Sequence, residues 1–138
     1  MANEEAAWDL LRDDSRWRLQ MAERLGSHLD GARFGVRALY VIGSTKDATA
    51  GPGSDIDLLV LFEGTPAQRE ALMLWLEGWS LCLGETNRLR TGHDAGGMLD
   101  VHIVTAEDVA DRTSYAVKIG SARDPARRIP IHITPGRA

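Results

Sequence analysis

The chain has 138 residues, 43% hydrophobic and 26% charged, an ordinary globular balance that supplies one core but hardly two. A formal net charge of −4 argues against general affinity for nucleic acid or an anionic membrane, both of which reward basic surfaces. The single cysteine, Cys82, excludes an internal disulfide framework and fits a reducing compartment. The opening "MANEEAAWDLL" lacks the basic and apolar regions of a secretory signal, and no apolar run approaches the roughly eighteen residues of a membrane span. A cytoplasmic protein is expected.

Residues 4 to 29 read as an amphipathic helix, with Leu10, Leu11, Trp17, Met21, Leu25 and Leu29 recurring at three-, four- and seven-residue spacings. "LDGARFG" then breaks the helix at Gly31 and Gly35. "VRALYVI", 36 to 42, reads as a first strand and "DIDLLVLF", 55 to 62, as a second. Their continuous apolar runs predict central strands covered on at least part of each face. Thr65 and Pro66 suit a helix start, and the pattern predicts a helix over about 66 to 83. "GETNRLRTGHDAGG" reads as a loop. A third strand follows at 98 to 104, "MLDVHIV", then a short helix opening at Thr105. In the tail, Ile129, Ile131 and Ile133 alternate like a strand, but Pro130 demotes it to an edge. The order predicts a small α/β or α+β unit with a mixed β-sheet. Its division is an N-terminal helix over 1–35, a core over 36–104 and a C-terminal extension over 105–138, all one domain.

The stretch "YVIGSTKDATAGPGSDIDLLVLF" sets an apolar run before Gly43-Ser44, then ten residues, then Asp55 and Asp57 at the head of the second run. In a strand, residues i and i+2 share a face about 6.5 to 7 Å apart, so both carboxylates point one way while Ile56 and Leu58 face the core. Parallel carboxylates repel unless a cation lies between them or one takes a proton. Hard Mg²⁺ takes such oxygen ligands together with water and substrate phosphates, and ligand type does not separate it from Mn²⁺. Asp100, in a neighbouring apolar strand, would allow a second ion, and two ions clamp the oxygens of an in-line phosphoryl displacement. Gly43 lets the backbone approach a phosphate, and Ser44 presents N–H and hydroxyl donors at a helix start. No Gly-Lys-Ser/Thr closes a P-loop, and Thr49 and Gly51 break the acidic alternation of an EF-hand.

Gly43-Ser44, the ten-residue spacer and Asp55-Ile56-Asp57, with Asp100 on a third strand, resemble the DNA polymerase beta-like nucleotidyltransferase superfamily. The length is similar to its minimal nucleotidyltransferases, and the resemblance covers about residues 36 to 104. It implies a short mixed sheet with helices packed on one side. The implied chemistry is Mg²⁺-dependent transfer of a nucleoside monophosphate, AMP above all, from ATP or another nucleoside triphosphate to a hydroxyl of a protein or small molecule. By that resemblance Asp55 and Asp57 bind both metals, Asp100 helps bind one and orients or deprotonates the acceptor, and Gly43 and Ser44 hold the triphosphate. Such domains often act as antitoxin partners of a small helical ribonuclease toxin, which they adenylylate. A nucleotide-binding or antitoxin-like module with little turnover is the alternative, and an antibiotic-modifying transferase ranks behind both.

Other residues carry two readings each. Lys46 either reaches a phosphate or stands in solvent. His102 shares the face of Asp100 but reads first as a satisfied sheet histidine. Arg88 and Arg90 read as wet loop charges before triphosphate contacts, and Tyr115 and Lys118 as structural. Trp75 and Trp79, four apart on a leucine-rich helix, complete the core or leave an apolar patch, as do Trp8 and Trp17. That surplus predicts a homo-oligomer or a complex with a protein partner.

Overall fold

The structure is a computed structural model that describes residues 13–94, 96–113, 115–121 and 125–133. Helix α1 spans Asp14–His28, and the Asp13 carboxylate caps it by accepting from the Arg16 N–H at 3.0 Å. Its inward residues, Trp17, Ala22 and Leu25, are buried, and Leu29 follows them into the core. Trp8, Leu10 and Leu11 lie outside the described residues. Gly31 does not only break the chain: Asp30 caps a short helix, α2, at Gly31–Phe34, which Gly35 ends in the left-handed region at φ 71°.

Strand β1 is Val36–Ile42 and β2 is Ile56–Phe62. Between them Gly43–Lys46 forms the one-turn helix α3. Helix α4 runs Pro66–Thr91, opened by a capping box in which Thr65 and Gln68 satisfy each other's backbone N–H groups. Strand β3 is Leu99–Val104, and Thr105 caps α5 at Ala106–Ala110. A 3₁₀ turn at Ala116–Lys118 leads to β4, Arg127–Ile129. That strand is an edge and stops before Pro130.

The sheet order is β3-β2-β1-β4, with β2 and β3 parallel and the other pairs antiparallel. One face, carrying Leu39, Val41, Ile56, Leu58 and Val60, packs under α1 and α4 through Leu25, Leu29, Leu72, Leu76 and Leu83. The two long helices therefore lie on one side, as expected. The opposite face, with Ala38, Tyr40, Ile42, Leu59 and Val104, is partly covered by Val109, Ala116 and Ile119. The uncovered end of that second face is where Asp57 and Asp100 stand.

Two tryptophans that read as either core or patch settle against the core. Trp75 meets Phe34 at 5.6 Å between ring centroids, and Trp79 meets Trp75 at 5.8 Å. The most exposed large apolar residues of α4 are instead Leu74, Leu81 and Leu89, at 65, 57 and 73% exposure. Among the described residues no helix is long and apolar enough to cross a membrane.

Helix α4 outruns the expected end near residue 83 and takes in the first half of the expected loop. Gly84 does not stop it, because the Gly96 carbonyl occupies the place where a Cβ at 84 would lie. The residue is glycine for a close approach inside a helix, and the helix ends at Gly92, φ 77°. Alanine at 84 would gain about 1 kcal/mol of helix propensity but force backbone apart at a typical overpacking cost of about 1–3 kcal/mol. Gly84→Ala is thus expected to lower the melting temperature. A higher one would show that the approach of residue 96 is not rigid.

Candidate active site

The site grows from the ends of three strands. Parallel pairing of β2 with β3 sets Asp57 directly opposite Asp100, and Leu59 opposite His102. Alternation then puts Asp57, Asp100 and His102 on one face, while Ile56, Leu58, Leu99 and Val101 join the core on the other. Burial of Ile56 and Leu58 thereby fixes where Asp57 points, since a one-residue slip would exchange the faces.

Oxygen or nitrogen atoms of Asp57, Asp100 and His102 lie within 4.8 Å of one another, a candidate divalent-metal site. The His102 Nε2 is 3.4 Å from an Asp100 oxygen, and its ring stacks on Tyr115 with centroids 3.9 Å apart. Asp55 stands apart from this tight group. The strand expected to open at Asp55 opens at Ile56, whose N–H donates to the Met98 carbonyl at 2.7 Å, so Asp55 is an exposed residue just outside the ladder.

Charge accounts for the protonation behaviour. Partial burial, a hydrogen bond with Asp100 and the repulsion of that carboxylate push the Asp57 pKa up to about 6. Asp55 is exposed by surface, yet the crowding protein strips part of its hydration and raises its pKa; Asp100 adds to the shift and Arg18 opposes it.

Gly43 sits against this cluster. Its φ of 70° is left-handed, and a Cβ there would collide with the Asp57 Oδ2. The start of α3 is therefore pressed onto the Asp57 carboxylate, with Ser44 half-buried beside it. Lys46 faces the tail, donating to the Pro125 carbonyl at 3.1 Å and pairing with Asp47 at 3.2 Å. Arg88 and Arg90 are helical, not loop residues: Arg88 pairs with Glu85, and the Arg90 guanidinium lies 4.1 Å from the Trp17 ring centroid.

Nothing in the sequence singled out Arg18 and Asn87, which grip the loop before Asp55. The alternation Asp-x-His was the available signal for His102; nothing in the sequence marked Arg18 off from the other helix charges. A cleft of about 690 Å³ lined by Met73, Leu74, Leu99 and Val101 lies on the opposite side of the sheet from the carboxylates and is no part of the site.

Two carboxylates forced together, one resisting ionisation, and a glycine leaving no side chain above them are a donor set that fits a divalent ion. The sequence profile of a family described as a nucleotidyltransferase domain matches residues 31–133. The chain belongs to that family. The match takes in Gly43, Ser44 and all three aspartates, and extends past residue 104 through β4. No curated protein and no solved structure matches the chain. Membership bears out the resemblance to the polymerase beta-like superfamily and gives the general chemistry: transfer of a nucleoside monophosphate, with a nucleoside triphosphate as donor substrate.

The raised Asp57 pKa has a thermodynamic sign. Between the ordinary value of 3.8 and about 6 the folded protein holds a proton that the unfolded chain has released. Metal-free stability therefore falls as pH rises through that window, and the loss is complete above it. Asp57→Asn is expected to melt higher than the parent at pH 7 without metal, the difference closing toward pH 4. Added Mn²⁺ should raise the melting temperature of the parent and leave that of the variant unchanged. A metal-free variant that melts lower at pH 7, or responds equally to Mn²⁺, would contradict the assignment.

Proposed function

We propose that the chain is a divalent-metal-dependent nucleotidyltransferase that moves a nucleoside monophosphate, AMP in the leading version, from a nucleoside triphosphate to a hydroxyl, releasing pyrophosphate. The observation that carries this is the juxtaposition of Asp57 and Asp100 with the Gly43-Ser44 turn seated on them. Bound Mg²⁺ or Mn²⁺ would neutralise the carboxylates and polarise the phosphate oxygens. The chain's own residues take the remaining roles. Asp57 and Asp100 hold the ion, with Asp55 joining from the loop and His102 beside them. Gly43 admits the triphosphate close to the backbone, and Ser44 donates to it. Asp100 orients the acceptor hydroxyl or takes its proton as the hydroxyl oxygen bonds to the α-phosphorus and the bond to the departing pyrophosphate breaks. Lys46 joins the triphosphate site if it leaves Pro125 and Asp47.

The acceptor we favour is a hydroxyl on a protein partner of the helical toxin type, in a cytoplasmic setting. The exposed Leu74, Leu81 and Leu89 stripe supports a protein contact with such a partner or with a second copy.

Incubation with labelled ATP, Mg²⁺ and the product of the neighbouring gene is expected to transfer label and release pyrophosphate. Asp57→Ala should reduce the rate by roughly two orders of magnitude or more, since metal charge stabilisation is worth several kcal/mol. Nucleotide binding with no pyrophosphate would instead favour a binding module of the same fold. A clean monomer in light scattering, alone and with that gene product, would remove the partner reading.

A further inference from the structure

Arg18 of α1 is completely buried, at 0% exposure. A guanidinium in that position is tolerated only when its donors are used, and here two of them reach the backbone of one loop. Its Nε donates to the Ser54 carbonyl at 2.9 Å and its Nη2 to the Pro52 carbonyl at 3.2 Å. Nη1 donates back to the Asp14 carbonyl at 3.1 Å, with the Asp14 carboxylate at 3.4 Å. Asn87 of α4, equally buried, completes the grip: its Nδ2 donates to the same Pro52 carbonyl at 2.9 Å, and its Oδ1 lies 3.4 Å from the Arg18 Nη2. The Ser15 hydroxyl accepts from the Ala50 N–H at 2.9 Å. Two helices thus hold residues 50 to 54 from one side.

That loop ends one residue before Asp55. Asp57 and Asp100 are placed by the β2–β3 ladder. Asp55 has no position in any ladder, so its location follows from the loop. We infer that Arg18 and Asn87 are positioning residues of the metal site, holding the Pro52–Ser54 carbonyls so that Asp55 stands within reach of the ion bound by Asp57 and Asp100. This rests on the metal-site reading proposed above. The Arg18 charge is also close enough to Asp55 to favour its ionised form, and a fork that reaches two carbonyls at once is a geometry that lysine cannot reproduce.

A double-mutant cycle on Mn²⁺ affinity, read by electron paramagnetic resonance of the free ion, separates positioning from mere core support. Arg18→Lys is expected to weaken binding about tenfold, the lower range for residues that orient metal ligands. Asp55→Asn should weaken it as well, and Arg18→Lys on that background should cost nothing more. Equal weakening on both backgrounds, or none on either, overturns the inference. Should Arg18→Lys fail to fold, as judged by circular dichroism, Asn87→Ala takes its place in the same cycle with the same expected outcomes. A parent protein that binds no Mn²⁺, or binds it as well after Asp57→Asn, overturns the metal-site reading itself. A parent that loses Mn²⁺ on Asp57→Asn but is indifferent to the Arg18 change overturns only the positioning role.

Discussion

Like charges pressed together across neighbouring strands are the constraint on which this molecule turns. Asp57 and Asp100 face each other because β2 and β3 pair in parallel at that register, and the register holds because Ile56 and Leu58 are locked into the apolar face beneath α1 and α4. Moving the carboxylates apart would mean exposing the core, and hydrophobic burial on that scale outweighs the repulsion of one partly solvated pair. The strain is therefore left in the site, where a proton relieves it in part and a bound divalent cation would relieve it more fully.

Other features serve that arrangement. Gly43 adopts a left-handed conformation that brings backbone onto the Asp57 oxygen, where a side chain would leave no room. The buried Arg18 brings a counter-charge near Asp55 while spending its donors on carbonyls. The stacked pair His102 and Tyr115 borders the cluster where the sheet face is uncovered. Core and candidate site are in this sense one structure: the apolar face sets the direction in which the acids point.

Much of this was legible in the sequence because its signals are local. β1 falls on residues 36 to 42, where an apolar run broken by Arg37 alone ends at Gly43, and Thr65-Pro66 opens α4 with the expected cap. The Gly-Ser and Asp-x-Asp spacing pointed to the family that the profile match establishes. What escaped depends on contacts between distant residues. Gly84 read as a helix end because nothing nearby tells that the Gly96 carbonyl needs its space. Asp55 read as the first strand residue, although the β2–β3 pairing begins only at Ile56. Arg18 looked like any polar residue on an amphipathic helix, since the loop and α4 groups it binds lie 34 to 69 positions further along the chain. Residues 4 to 12 of the expected first helix lie outside the described residues.

Anomalous diffraction from crystals soaked in Mn²⁺ and a non-hydrolysable triphosphate tests the central claim most directly. A manganese peak between the Asp57 and Asp100 oxygens is expected, with an Asp55 oxygen drawn into the same shell and the phosphates lying over Gly43 and Ser44. Saturating manganese with no peak between those two carboxylates, or with the ion held at another part of the chain, would contradict it.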